Sequence, residues 1–232
     1  MFKNLKLNSK IAELIGMHIG DGTLYKTTRG NVWELRGNLN EKDYYYTNVK
    51  PLLESIFNNL VFNPKFRSGG KNGCFGIQTS KKEVTNFFIE FGFKPGSKTY
   101  TVRIPDYIKN ANNNLKLAFI RGLFDTDGCI RFDRINNQKL HAYPRVEFGF
   151  ASKLLRDDLF ELTKGLGYRS FIWGGKYFKL AIGGKEHIDK WFNEVLPNNK
   201  KHLNKYEFWS IRGYYAPRSH SPAIAVISEQ KL

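Results

Sequence analysis

"LIGMHIGDG", residues 14 to 22, and "IRGLFDTDG", residues 120 to 128, align residue for residue: Gly16 falls on Gly122, Asp21 on Asp127 and Gly22 on Gly128, 106 positions apart. Each stretch is an apolar helical run with a glycine inside it and an acid at its end. A glycine within a helix costs about 1 kcal/mol relative to alanine. A carboxylate at a helix C-terminus opposes the macrodipole by about 0.3–1 kcal/mol. Two local rules broken together, twice in one chain, point to function at both places.

The repeat extends outward from these motifs. "GGK" at 69–71 returns at 174–176, and "TSKKEVTNFF" (79–88) returns as "GGKEHIDKWF" (183–192), with Phe87 and Phe88 on Trp191 and Phe192. Landmarks in one order at nearly constant spacing make the chain two divergent copies of a module. The copies are expected at 1–105 and 106–212, followed by a tail at 213–232. Each copy reads helix, two strands, helix, two strands, helix. "VWELRGNLN" (32–40) alternates as a half-buried strand, with Trp33, Leu35 and Gly37 inward and Glu34, Arg36, Asn38 and Asn40 outward; "PRVEFGFAS" and "YFKLAIG" alternate in the same way. Turn-forming stretches pair the strands into hairpins. The helix "KDYYYTNVKPLLESIFNNL" carries Pro51, which is expected to kink it or delay its start.

Small residues four apart, Gly16 and Gly20 in one copy and Gly122 and Thr126 in the other, flatten a helix face for close approach. If the two motif helices pack together, a pseudo-twofold brings Asp21 and Asp127 side by side. Such a pair repels unless a cation intervenes, and oxygen donors without histidine or cysteine suit a hard ion, Mg²⁺ first. Gly22 and Gly128 are expected as left-handed residues turning each helix into its strand. Asp125, two residues before Asp127, is expected to point elsewhere as a capping or solvent-facing residue.

Among 232 residues, 37 Lys and Arg against 21 Asp and Glu leave a net charge of +16. That is the footprint of a nucleic-acid binder. A 41% apolar content supports packed cores, no apolar run approaches a membrane span, and the start lacks a signal-peptide core. Cys74 and Cys129 are too few for a disulfide framework, and the five histidines show no zinc motif. A protein kept in a reducing compartment, cytoplasmic or an organellar matrix and not secreted, is expected.

The paired motifs resemble those of the single-chain LAGLIDADG homing endonucleases, over roughly residues 10 to 205. The resemblance implies an α+β fold of two αββαββα halves, with the motif helices at the centre and saddle-shaped antiparallel sheets over DNA. It implies that Asp21 and Asp127 bind the catalytic divalent metal, Mg²⁺ or Mn²⁺ in its place, with Gly20 and Thr126 beside them as further metal positions. Asn40 resembles a water-positioning residue, where the second copy has Ala151 or Ser152. Lys98 resembles a basic active-site residue of one half, and Lys200 or Lys201, from "LPNNKKHLNK", that of the other. The sixth motif position departs from the family name, being Ile19 in one copy and Asp125 in the other.

The expected DNA contacts are the outward positions Tyr25, Arg29, Glu34, Arg36, Asn38, Lys65, Arg67 and Gln78 in the first copy, and Arg131, Asp133, Arg145, Glu147, Arg169 and Lys179 in the second. Arg reads guanine and Asn or Gln reads adenine in the major groove. Because the copies differ at nearly all these positions, a long asymmetric duplex site is expected, bound by a monomer and cut on both strands; the resemblance implies that cutting leaves short 3′ overhangs. The alternatives on the same fold are an intron maturase that binds intron RNA and a non-cleaving DNA-binding regulator. A free-standing, intron-encoded protein is expected, since the ends lack the Cys or Ser and the His-Asn of a splicing element.

Overall fold

The computed structural model describes residues 6–68, 73–134, 140–174 and 177–215. Helix α1 (Ser9–Ile19) is capped by Asn8, whose side chain accepts from the Ile11 N–H. It leads into the hairpin β1 (Gly22–Thr27) and β2 (Gly30–Gly37). The next helix is composite: α2 (Lys42–Tyr44), a π-turn at Tyr45–Val49, then α3 (Lys50–Ile56). Pro51 sits in the first turn of α3, so the π-turn just before it absorbs the missing N–H and the chain neither stops nor restarts. Strands β3 (Lys65–Arg67) and β4 (Cys74–Thr79) and helix α4 (Lys82–Glu90) complete the first half.

After the short α5 (Asp106–Lys109), the second half runs α6 (Asn113–Asp127), β5 (Gly128–Arg134), β6 (His141–Phe150), α7 (Lys153–Gly165), β7 (Ser170–Trp173), β8 (Phe178–Gly183) and α8 (Lys185–Glu194). The strand orders are β1-β2-β4-β3 and β5-β6-β8-β7, all antiparallel. This is the αββαββα unit twice, and the expected α+β architecture is observed.

One further helix, α9 (Lys200–Arg212), follows the second unit and begins at the Lys200 and Lys201 candidates. Asn199 caps it, and Trp209 on its inner side is buried. Strand β2 stops at Gly37, so the alternation expected through Asn40 ends early. Asn38 instead caps a 3-10 turn at Leu39–Glu41, accepting from Asn40 N–H while its own N–H donates to Glu41. The "GGK" of residues 69–71 and most of its mate, and the tail beyond Tyr215, lie outside the described residues.

The core fills the space between each sheet's inner face and its helices. Trp33 and Leu35 in β2 and Val146, Phe148 and Phe150 in β6 are buried with Phe87, Phe88 and Trp191 from the repeat's later helices. At the centre α1 packs on α6 more extensively than any other pair of helices. A Cβ on Gly122 would press into the Glu13 carbonyl oxygen and lie 2.9 Å from Met17 N; one on Gly16 would press into the Phe119 carbonyl oxygen and lie 2.8 Å from Leu123 N. Each motif glycine is thus where the partner helix's backbone passes, which answers why glycine interrupts both helices.

Gly22 and Gly128 serve a different purpose from the left-handed turn expected of them. Gly128 is extended (φ −84°, ψ 166°), and neither belongs to the positive-φ residues. The strand leaves so close to its helix that a side chain has no room. A Cβ on Gly22 would lie 2.5 Å from His18 Cα, and one on Gly128 would lie 2.8 Å from the Phe124 carbonyl oxygen.

Candidate active site

Along the glycine seam the two helices run in the same sense, Gly16 against Phe119 and Leu123 and Gly20 against Thr126, so α1 and α6 reach a common end and there the two motif acids meet. The Asp127 carboxyl carbon lies 3.5 Å from where a Gly20 side chain would begin, one residue from Asp21. Asp21 is half-buried and Asp127 is exposed at the mouth. Burial first, then Asp127 and Glu41, push the Asp21 carboxyl up to about 7 against the pull of Lys201 and Lys98. Loss of water also raises Asp127, with Lys98 and Lys201 opposing.

One lysine attends each helix end. Lys98 Nζ donates to the carbonyls of Ile19 (2.6 Å) and Gly20 (3.0 Å), satisfying acceptors that α1 leaves open. Burial lowers its pKa, and the two aspartates restrain the drop. Lys201 Nζ donates to Glu41 (2.6 Å) and reaches the Thr126 carbonyl at 3.5 Å. Lys200, the other expected candidate, points outward and only approaches Asp43 at 4.0 Å, because one residue along a helix turns the side chain by about 100°. Asn40 is exposed on its turn and its N–H is spent on Asn38. The residue facing the acids from that turn is Glu41, held by Lys201 and by Asn199 Nδ2 (2.8 Å). The N-x-x-E spacing of Asn38 and Glu41 is a capping-box pattern that could have marked it. Ser152 is buried and structural, donating to the Val102 carbonyl (2.6 Å) and capping α7, while Ala151 lines the cleft.

Asp125 is neither a surface residue nor a solvent-facing cap. It is fully buried, accepts from the backbone N–H groups of Asn198 (2.9 Å) and Asn199 (3.2 Å), and faces Tyr44 Oη at 3.4 Å. Burial pushes its carboxyl up to about 7, while those backbone donors pull the other way. Leu196, in the left-handed region at φ 52°, turns the chain into this clamp. Nearby Glu13 pairs with Arg121 (3.2 Å) and accepts from Asn198 Nδ2 (2.9 Å). Together these groups fix the start of α9, and hence Lys201, against the paired helices.

The cleft beside the acids is lined from both halves by Gly20, Lys98, Asp127, Ala151 and others. Among the described residues no cluster of three or more His, Cys, Asp or Glu could hold a metal by itself. What converges is two carboxylates and the carbonyls of Gly20 and Thr126, oxygen donors throughout. That set fits a hard divalent cation completing its shell with water or phosphate. The Thr126 hydroxyl is not available, since it donates back to Gly122 and Leu123 within α6.

The expected DNA-contact residues divide between the two polar sheet faces. In the first sheet Glu34 is paired with Arg36 (2.5 Å), Gln78 donates to Tyr25 Oη (2.5 Å), and Arg36, Lys65 and Arg67 line a shallow basic hollow. Arg29 is exposed in the β1–β2 turn, and Asn38 lies beyond the strand. In the second sheet Arg131, Asp133, Arg145, Glu147 and Lys179 share one face, with Arg169 exposed just before β7.

Residues 114–195 match the model of the LAGLIDADG-like domain. The chain resembles I-DmoI, a homing endonuclease solved with DNA and Mn, at TM-score 0.58 and 19% identity, covering 83% of this chain and 99% of that one. It resembles I-SmaMI, solved with uncleaved DNA target and calcium ions, at TM-score 0.57 and 13% identity, covering 90% and 91%. An uncharacterized protein of Methanocaldococcus jannaschii is 29% identical over 167 residues, and a component of the A-type ATP synthase of Pyrococcus abyssi is 23% identical over 189. The matches cover 70% and 79% of this chain and 17% and 16% of those proteins, so the chain spans about a sixth of their length. Residues 114–195 thus match the LAGLIDADG-like domain, and the chain as a whole has the fold of the solved I-DmoI and I-SmaMI structures.

Proposed function

We propose that the protein is a site-specific DNA endonuclease that uses a divalent cation, Mg²⁺ or Mn²⁺, to cut both strands of an asymmetric duplex. The observation that carries this reading is the meeting of Asp21 and Asp127, each at a helix end attended by a lysine, between two polar sheet faces on a chain of net charge +16. The solved enzymes of this fold with DNA and Mn or calcium ions support it. A divalent ion bound there would polarise the scissile phosphate and help generate the attacking hydroxide.

The chain's own residues do the rest. Asp21 and Asp127 would hold the ion as carboxylates, the form that a cation beside them favours. Lys98 and Lys201 bring two ammonium groups beside the acids, placed to offset negative charge developing on phosphoryl oxygens. Each is already fixed by helix-end carbonyls, so little rearrangement is needed. Glu41 holds Lys201 in place. The sheets supply the affinity and the reading of the duplex.

The test is a pool of random-sequence duplexes from which the protein selects its site, followed by incubation of the selected DNA with Mg²⁺, Mn²⁺ or EDTA. Double-strand cutting that requires the metal supports the reading. Tight selection with no cutting under either metal would replace it with the regulatory one, and preference for structured RNA with the maturase one.

A further inference from the structure

Both sheets carry a glutamate at the same place on the face turned away from the core. Glu34 pairs across the ladder with Thr23, the residue after Gly22, and Glu147 pairs with Cys129, the residue after Gly128. A glutamate reading cytosine must hold a free carboxylate oxygen out into the groove. Glu147 does the reverse: its side chain is 4% exposed, and Arg145 (3.1 Å), Lys179 (3.3 Å) and Arg131 (3.7 Å) close over it. Arg145 is also tied to Asp133 (2.6 Å), and both Arg145 and Lys179 stand over the Trp173 ring. Glu34, 12% exposed, holds Arg36 in the same manner, with the Tyr25 hydroxyl at 3.5 Å.

We infer that Glu34 and Glu147 are positioning residues for DNA recognition, Glu34 holding Arg36 and Glu147 holding Arg131, Arg145 and Lys179 in fixed directions so that they meet base edges rather than wander among phosphates. The inference rests on the proposed DNA-binding function and narrows the set of direct readers. Free Lys and Arg side chains carry large rotamer entropy, and a buried carboxylate removes much of that freedom before DNA arrives. It also lowers the local positive charge: on the second sheet three cations around two carboxylates leave one net charge, which restrains binding to arbitrary sequence. Sequence preference gains and indiscriminate affinity falls.

The test compares wild type with E147Q and E34Q, which keep the side-chain shape and remove the charge. Each is used in EDTA to select from random-sequence duplexes, so that cleavage plays no part, and its affinity for an unrelated duplex is followed against salt. For E147Q the base preference should flatten over the several positions covered by the second sheet and persist in the other half-site. Affinity for unrelated DNA at low salt should rise about tenfold, with a slope of log K against log salt steeper by about 0.9 for each phosphate newly contacted. E34Q should do the same to the opposite half-site, and it carries the test alone if E147Q melts below the assay temperature. Loss of preference at a single C·G pair with the salt slope unchanged would overturn the inference in favour of direct reading, as would an unaltered preference. If wild type selects no sequence, the site-specific function itself fails and this inference with it.

Discussion

Replacing Gly122 by alanine tests the central packing with one methyl group. The added Cβ would lie 2.9 Å from both Glu13 C and Met17 N, where ordinary contact begins near 3.4 Å, and it presses harder still on the Glu13 carbonyl oxygen. Backbone of the partner helix cannot rotate aside, so α1 and α6 must part. Overpacking costs about 1–3 kcal/mol, and against unyielding backbone the upper part of that range applies, about 2–3 kcal/mol; a helix-propensity gain of about 1 kcal/mol leaves a net loss of about 1–2 kcal/mol. For a chain of this size that lowers the Tm by about 2–4 °C per kcal/mol, or about 2–8 °C in all. Gly165, in the last turn of α7, is the control. Nothing lies within 4 Å of its would-be Cβ and its φ is not positive, so G165A should hold or slightly raise the Tm. Thermal unfolding followed by circular dichroism distinguishes them. G122A as stable as G165A would refute the close helix contact.

Three further outcomes follow from the site. The Asp21 carboxyl at about 7 is above its unfolded value of 3.8, so the folded state binds the extra proton and ionisation costs stability above pH 7, a cost relieved as the pH falls toward 4. D21N should therefore melt above wild type at pH 8 by an amount that shrinks toward pH 4 and is reduced by added Mg²⁺; a constant gap across that range would refute the assignment. K201M should reduce the cleavage rate at least tenfold while K200M changes it little, measured as single-turnover rates on the selected site. D125A leaves the Asn198 and Asn199 N–H groups without their acceptor and should cost about 1–3 kcal/mol in denaturant unfolding, with loss of cleavage through the displaced α9; an unchanged midpoint would remove Asp125 from the clamp.

Much of this architecture is legible in the sequence because the repeat doubles each local signal. Gly122 and Asp127 are ambiguous alone, yet their alignment with Gly16 and Asp21 identifies a shared interface and a shared site. Local periodicity likewise places Trp33, Leu35, Phe148 and Leu180 in the core correctly. What it misses depends on distant partners. Asp125 looks idle beside Asp127 because the N–H groups it accepts are 73 and 74 residues away. Glu147 reads as an outward polar residue, which it is by strand parity, but the cations that bury it come from three strands. Lys200 and Lys201 cannot be separated until Asn199 is seen to cap a helix and set the phase of that turn. Gly22 and Gly128 are identified as necessary but for the wrong reason, since the clash that excludes a side chain comes from the preceding helix and not from a positive φ.

Whether the two halves share one acidic site is tested by incubating the selected duplex, labelled separately on each strand, with Mg²⁺ and wild type, D21N or D127N. Wild type should cut both strands, and either substitution should abolish cutting of both. If either variant cut one strand at the wild-type rate, or both variants cut freely, Asp21 and Asp127 would not form a common site.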